Sequence, residues 1–521
     1  MKHFFRKTIS LFFILLNIHC QAQVDGILDT TFGVGGKLYF NIGNINAGNT
    51  WSYATAVKTQ QNGKFVICGG KSGTPKNLYF LMRFNNNGDR DSTFGAYGIV
   101  DVAHNGKHLQ AHDVEIQSDG KYLVLGLISD SIQSAIFITR HNINGTLDST
   151  FGVNGMVQTV MSGNQDVAYH LKLQTDSKIV ICGYTQTTSS SANLIVIRYN
   201  TDGTLDTTFD TDGIMELNYP AGLGEYGSDL VIQNDGKILV SGYYWAGPYN
   251  SDILLVRLNT NGSLDLSFDT DGIVQTAVSA SVDGGYSIKL LANGNFMVVG
   301  ESTGGTTSTR YFTLVKYLQN GSRDYSFDLD GIVTTSFNSP YCFSSTLLLD
   351  KNGKAILVGS NYFNSSNDFA LARFHPNGSL DNSFNYTGKT LTDFYNTNDV
   401  AQDAALQFDN KILVVGSTDV NICIARYTNA ASTTNIMNSQ NIEHQPLVIH
   451  PNPSAKYITI NSSVEFDETQ IFSITGELLL KEKIQTTTNY SINISELPLG
   501  VYIIKVLLKS NQIKTSKFLK D

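Results

Sequence analysis

Up to about residue 430 the chain repeats one pattern of apolar and polar positions. A solid apolar run closed by glycine recurs as KYLVLG, KILVSG and KILVVG. Before it comes a stretch that alternates apolar and polar residues and ends in a turn: DVEIQSDGK, DLVIQNDGK, ALQFDNK. After it comes a run ending on a base: AIFITR, ILLVRL, ICIARY. A shorter apolar stretch follows an Asp-x-Ser/Thr-Phe motif, as in GIVDV at Gly98 and GMVQT at Gly155. Short runs rich in Val, Ile, Leu and Phe, separated by turn residues, predict strands. Asn-Gly or Asp-Gly at 62–63, 119–120, 235–236, 293–294 and 352–353 supplies the positive φ of tight hairpins. No stretch of this region keeps a 3.6-residue apolar period long enough for a helix.

The motif falls at Asp29–Phe32, Asp91–Phe94, Asp148–Phe151, Asp206–Phe209, Asp265–Phe268, Asp324–Phe327 and Asp381–Phe384. Successive motif Phe residues are 62, 57, 58, 59, 59 and 57 positions apart. Four-stranded antiparallel units at that period are blades, and seven of them predict an all-β, closed seven-bladed β-propeller. An open solenoid would need polar end caps, and the sequence offers none.

The base-ended runs carry Arg83, Arg140, Arg198, Arg257, Lys316, Arg373 and Arg426. In the first six the motif Asp lies eight residues later, whereas that offset from Arg426 lands on Thr434. Asp29 has no upstream base. Joining the two predicts that Arg426 meets Asp29, with Leu28–Phe32 docking on the seventh blade as a latch. Matched acids at fixed spacing favour structural ion pairs over a ring-shaped anion site. The motif Phe reads as a plug between blades.

The two ends differ from the repeats. Lys2, Arg6 and Lys7, an apolar run from Ile9 to Ile18, and Cys20-Gln21-Ala22 describe a secretory signal peptide over residues 1–22. Asn17-Ile18-His19 before Cys20 lacks the small residues of a lipobox. No later stretch approaches the ~20 apolar residues of a membrane helix, so no transmembrane segment is expected. The propeller spans 23–428, and 429–443 has the Asn, Ser, Thr and Gln composition of a linker. Residues 444–521 read as a small C-terminal β-sandwich, Ig-like in its run of short strands.

Pro451-Asn452-Pro453, the Ile471–Gly476 turn, Pro498, Gly500, Tyr502 and the ending Lys517-Phe518-Leu519-Lys520 resemble the type A C-terminal sorting domain. That domain belongs to cargo of the type IX secretion system of Bacteroidota. Ser473 stands where the family usually has Asp. The repeats resemble the delta-60 repeat family through their LDxSFGxxG motif. The first resemblance implies a route, with the translocon and sorting machinery as partners and a secreted or outer-membrane surface address. The second implies a fold and no activity. DTT and DST in the first four motifs also resemble Bacteroidota O-glycosylation sites.

Composition narrows the functions. Only 16% of residues are charged, well below the roughly 25% usual in soluble domains. The formal charge is −9. Setting aside the three bases of residues 1–22, and the eight bases and seven acids of 444–521, leaves about −13 on the rest. An acidic disc repels phosphate, which argues against nucleic acid. Cys68, Cys182, Cys342 and Cys423 show no zinc spacing and read as buried thiols.

Alternate loops of the blades vary most, and there the chain places Trp51, Tyr53, Tyr219, Tyr226, Tyr243, Tyr244, Trp245 and Tyr249. Aromatics on loops of a rigid scaffold suggest a ligand surface, and flat rings stack on sugar faces. Asp202, Asp206, Asp210 and Asp212 are the calcium candidates, with Asx-turns as the competing explanation; no other cofactor is expected. His104, His108 and His112 would not share a helical face, and GESTG at Gly300 lacks the helix of a nucleophile elbow. The expectation is an exported, monomeric, non-catalytic protein binding an extracellular glycan or protein. A glycosidase or lyase on the same scaffold, and a structural surface component, are the alternatives. Nothing selects a catalytic carboxylate pair among Glu216, Glu225, Asp229 and Asp252.

Overall fold

The computed structural model describes residues 24–43, 50–73, 76–130, 133–161, 165–188, 191–217, 223–247, 249–304, 309–337, 339, 341–429, 447–473, 478–508 and 513–521. The signal peptide, Tyr219, Gly476 and all but the first residue of the 429–443 linker lie outside them. The chain divides into two compact parts, Met1–Thr433 and Thr434–Asp521. Among the described residues every element is a strand.

In the first part the strands form sheets of 4, 12, 8 and 4 strands, and their antiparallel pairings, joined by single-residue parallel bridges, divide them into seven four-stranded units. Blade one pairs Ser52–Thr59, Phe65–Lys71, Leu78–Phe84 and Ile99–Val102 in that order. Later blades begin with His108–Ile116, Gln165–Leu173, Gly224–Ile232, Asp283–Leu290, Tyr341–Leu349 and Val400–Leu406. These first strands pack on one another in succession, and Ser52–Thr59 packs on Val400–Leu406 to complete the circle. Val57 N donates to Asp403 at 2.9 Å and Thr59 Oγ1 to the Leu406 carbonyl at 2.9 Å across that seam.

The sheets run one strand out of phase with the repeat read from the motif. The stretch after each motif does not open a blade; it closes the preceding one, as Ile99–Val102 does by pairing with Leu78–Phe84. The same shift sends Lys37–Phe40, after the first motif, to Ile422–Tyr427 as the outer strand of blade seven. Strand pairing between neighbours in sequence sets the frame, and repeat spacing alone leaves it open.

Every inner strand carries a bulge at the same place, at Thr55, His112, Tyr169, Ser228, Tyr286, Ser345 and Gln402. The kink pushes the carbonyl two residues before the bulge against the second strand. A Cβ on Gly69, Gly126, Gly183, Gly242, Gly300, Gly359 or Gly416 would lie 1.6–2.1 Å from that oxygen. This close approach is why each apolar run ends in glycine.

The motif side holds the blades together. In six blades the arginine Nε meets its Asp at 2.6–2.8 Å, and Nη2 reaches the motif Ser/Thr at 3.0–3.2 Å. The guanidinium lies 4.4–4.8 Å from the motif Phe ring, itself fully buried. Burying such a ring stabilises by roughly 1.5–3 kcal/mol. Nη1 crosses to the next blade, at Ile143, Thr201, Thr260 and Gln319 carbonyls, Asn429 Oδ1, and the Asn86 carbonyl. A hairpin lysine adds a second cation to each Asp at 2.7–2.9 Å. Blade five departs on both counts: Lys316 replaces the arginine, and Asn295 stands in the hairpin position.

Asp29 accepts from Arg426 Nε at 2.8 Å and from Lys411 at 2.9 Å. Leu28 bridges Tyr427, and Asp25 reaches Arg373 at 2.8 Å. The segment before the first blade therefore completes the last two. Cys68, Cys182, Cys342 and Cys423 are buried free thiols.

In the second part, Val448–His450, Tyr457–Ser473, Leu478–Asn493, Gly500–Leu508 and Ile513–Lys520 form one five-stranded sheet. The small β domain expected here is united by Tyr457–Ser473, which pairs three other strands along its length. Ile458, Ile460, Phe466, Ile471, Ile504 and Phe518 fill its core.

Candidate functional site

Opposite the motif side, aromatic rings from neighbouring blades form a continuous arc beside the inner strands. His112 stacks on Tyr169 at 5.5 Å, Tyr169 meets Tyr184 at 6.1 Å, and Tyr184 meets Tyr226 edge-on at 4.9 Å. Tyr226 stacks on Tyr243 at 4.6 Å and lies 6.5 Å from Trp245. His112 and Tyr169 are bulge residues, and Tyr184 and Tyr243 each follow the strand glycine. Trp245 and Tyr169 are 40% and 39% exposed. Trp245 Nε1 donates to the Gly247 carbonyl, which fixes the indole plane. Burial pushes the hydroxyls of Tyr169, Tyr184, Tyr226 and Tyr243 up, so these rings stay uncharged.

Blade five ends the arc with a polar group. Glu301 takes the position after the glycine that Tyr184 and Tyr243 hold in blades three and four. It accepts from Tyr286 Oη at 2.8 Å and from Arg310 Nη1 at 3.0 and 3.2 Å. Its charge also helps to push the Tyr243 and Tyr286 hydroxyls up. Arg310 in turn lies 5.2 Å from the Phe343 ring of blade six.

The expected aromatic residues divide. Tyr226, Tyr243 and Trp245 lie together in the arc. Tyr244 does not: it is 6% exposed and packs in the core with Leu194 and Val196 of blade three. Adjacent strand residues point to opposite faces, so Tyr243 and Tyr244 cannot both serve. Trp51 and Tyr53 form a separate stacked pair on blade one at 5.4 Å. Tyr249 is 85% exposed at a turn with φ 66°. Tyr169, Tyr184, Tyr286 and Arg310 escaped sequence reasoning, and His112 and Glu301 were weighed only for other roles; comparing equivalent strand positions across repeats would have found them.

The calcium candidates do not converge. Asp206 is held by Arg198, Lys178 and Thr208, and Asp202 caps the turn at Thr204. Asp210 and Asp212 line a separate cavity with Glu216. Another acidic group joins Asp368, Asp393 and Asp399, with oxygens within 4.8 Å of one another. Burial, outweighing hydrogen bonds from Thr397 and Phe394, pushes Asp399 up to about 7. Its place is structural: Asp166, Asp283 and Asp399 each accept from the backbone N–H five residues earlier.

The inner strands also hold a charge network. His170 Nδ1 lies 3.4 Å from Asp113 and 3.8 Å from Asp229, on the blades either side. Lys58 lies near Asp113 and Glu115, and Lys289 near Asp229. Two carboxylates also bind the adjacent blade directly, Asp113 at Leu171 N and Asp229 at Ile288 N, both 3.0 Å. The network neutralises itself and joins blades. Of the histidine triplet, His104 meets Asn105 and Gln158, His108 accepts from Asn77 N, and only His112 joins the arc. Ser302 of GESTG sits buried inside a strand.

In the C-terminal part, Asn452 Oδ1 accepts from Leu519 N at 2.8 Å and Nδ2 donates to the Lys517 carbonyl at 3.3 Å. The Pro451-Asn452-Pro453 turn thereby clamps the last strand. Tyr502 Oη donates to the Pro498 carbonyl at 2.6 Å, which holds the entry to its own strand.

Residues 448–521 match the secretion system C-terminal sorting domain. Residues 117–151, 174–209, 233–268 and 351–384 match the DUF5122 β-propeller, a domain of unknown function, each segment ending at a motif Phe. No curated protein matches the chain. Solved structures similar to it include a catalytically inactive virginiamycin B lyase from Staphylococcus aureus with quinupristin, at 12% identity and TM-score 0.40, covering 75% of this chain and 99% of that one. The polysaccharide lyase Uly1 gives 12% identity and TM-score 0.44 over 78% and 97% of the two chains. The NanB sialidase of Streptococcus pneumoniae gives 9% and 0.39 over 75% and 70%. Likeness at this level carries no argument about activity. Among the described residues no helix is long and apolar enough to cross a membrane. The chain therefore carries DUF5122 β-propeller repeats followed by a type IX secretion sorting domain, which marks it for export to the cell surface or the extracellular space.

Proposed function

We propose that the exported propeller is a non-catalytic binding protein that holds a glycan chain against the aromatic arc of blades two to five. The observation that carries this is the unbroken run of rings from His112 to Trp245, part exposed and part anchored. Tyr and Trp give large, rigid contact area at low entropic cost. Acid–base cleavage of a glycosidic bond needs two carboxyl groups in distinct states. Of the carboxylates beside the arc, Glu301 is instead paired with Arg310, and Glu225 is buried next to Tyr226. Three cavities lie away from the arc, two of them on the motif side among Arg426, Lys411, Arg83 and Lys64.

The test is retention of the purified protein on a panel of immobilised polysaccharides, with Trp245→Ala and Tyr243→Ala beside the parent. Each variant is expected to lose about tenfold in affinity, or roughly 1.4 kcal/mol. Trp51→Ala, on the separate platform, should lose much less. Retention unchanged in both arc variants, or no retention on any polysaccharide, overturns the reading. Release of new chain ends that depends on Glu301 would move the assignment to a carbohydrate-active enzyme.

A further inference from the structure

We infer that the arc takes a neutral saccharide rather than a polyanion, with Arg310 as the hydrogen-bond fork that seats one sugar at its blade-five end. This rests on the glycan reading above and goes further, to ligand charge and to a residue in contact with the ligand.

Arg310 is docked along one edge. Nη1 donates to both oxygens of Glu301, which is 5% exposed and takes a third bond from Tyr286. The Arg310 side chain remains 38% exposed, and its Nε and Nη2 make no hydrogen bond among the described residues. The guanidinium also lies over Phe343, which limits its rotation. A planar guanidinium held in this way presents its remaining N–H donors in a fixed fork. Such a fork suits two neighbouring oxygens of one sugar ring stacked against the Tyr243 end of the arc. Ordering cost is low because the donor is already in place.

Geometry alone would admit a carboxylate or sulfate as well as a pair of hydroxyls. Charge decides between them. Glu301 already neutralises Arg310. Asp283 opens the first strand of blade five, and its charge acts on Asp252 of blade four. Residues 23–443 as a whole carry a formal charge of about −13. A polyanion brings a further negative charge with each repeat into a field that reaches about 8–10 Å at moderate salt. A neutral chain keeps the stacking and the fork without that repulsion.

The experiment is affinity electrophoresis of the mature, signal-free protein through gels containing a neutral β-glucan or mannan, or containing alginate or chondroitin sulfate, at low and high salt. The parent, Arg310→Met, Arg310→Lys and Trp245→Ala are compared, each first shown to melt like the parent. Retardation by a neutral chain should be insensitive to salt and should weaken about tenfold in Arg310→Met. Arg310→Lys should recover little of it, since an ammonium cannot reproduce the fork. Tighter retardation by a polyanion at low salt overturns the charge assignment. Loss in Trp245→Ala with none in Arg310→Met overturns the fork and leaves the glycan reading standing. No retardation in any gel overturns both.

Discussion

Replacing Asp29 tests whether the segment before blade one closes the ring. Its carboxylate is 4% exposed and takes hydrogen bonds from Thr31 N at 3.1 Å and Thr31 Oγ1 at 2.7 Å, besides Arg426 and Lys411. Burial alone would raise its pKa; the Thr31 and Lys411 bonds and the Arg426 charge outweigh that and hold it at about 2, against 3.8 unperturbed. That difference corresponds to roughly 2.5 kcal/mol. Lys411 is 25% exposed, so solvent screening reduces the figure to about 1–2 kcal/mol for Asp29→Asn. Asp29→Ala should cost more, about 3 kcal/mol, because Arg426 is 2% exposed and would keep its charge without its carboxylate. Urea unfolding at neutral pH, followed by tryptophan fluorescence, measures both. Asp91→Ala is the matched control, since Asp91 holds Arg83, Lys64 and Thr93 in the same way inside blade one. A depressed carboxylate stabilises above its unfolded pKa and loses that contribution as pH falls, here from about 4 through about 2. Asp29→Ala should lack that part of the acid transition. If Asp91→Ala costs about 3 kcal/mol while Asp29→Ala falls within about 0.5 kcal/mol of the parent, the latch contributes nothing and the closure argument fails.

Gly300→Ala places a Cβ 1.6 Å from the Gly284 carbonyl oxygen and should destabilise by about 3 kcal/mol; an unchanged melting temperature would show that the bulge can relax. Lys316→Arg should restore Nε to Asp324, Nη2 to Ser326 and a bond across to blade six, raising stability by about 1 kcal/mol in urea unfolding. No gain would mean that the blade-five seam lacks room for a guanidinium. Burial opposes protonation of His170, but Asp229 and Asp113 outweigh it and raise its pKa despite Lys172. Its contribution is present below its unfolded pKa and lost as pH rises through the higher folded one, so the parent's urea midpoint should fall as pH rises above the ordinary histidine range. His170→Asn should flatten that fall, and an equally steep fall in the variant refutes the assignment. Asp399, raised to about 7, acts in the same direction, costing stability as pH climbs from about 4 to about 7; Asp393→Asn should lessen that cost by removing a neighbouring charge.

What the sequence made legible and what it hid have the same physical origin. Residues that repeat every blade are scaffold. Asp29 and Arg426 were paired across 397 positions because each lacked the partner that every other repeat supplied. The strand frame was not legible in that way, since any cyclic order of the four stretches gives the same spacing. The rest of the arc, beyond Tyr226, Tyr243 and Trp245, was hidden for the opposite reason. Its residues sit inside strands, at positions where the repeats differ. After the strand glycine the chain reads Gly70, Leu127, Tyr184, Tyr243, Glu301, Ser360 and Ser417 in turn. All seven share one backbone environment, set by the bulge opposite, so the fold constrains the glycine and leaves the next side chain free to vary. A search of loops for aromatics reaches Tyr226, Tyr243 and Trp245 but also takes in Tyr244, which strand alternation turns into the core. Aligning the blades and then asking where they disagree, one face at a time, leads from Tyr184 to Tyr243 to Glu301 without that error. The same comparison puts the seam substitutions, Lys316 and Asn295, in the blade that carries Glu301 and Arg310. Blade five is therefore where the scaffold pattern and the ligand-facing pattern depart from the repeat together, and where the pairing of Arg310 with Glu301 should matter most.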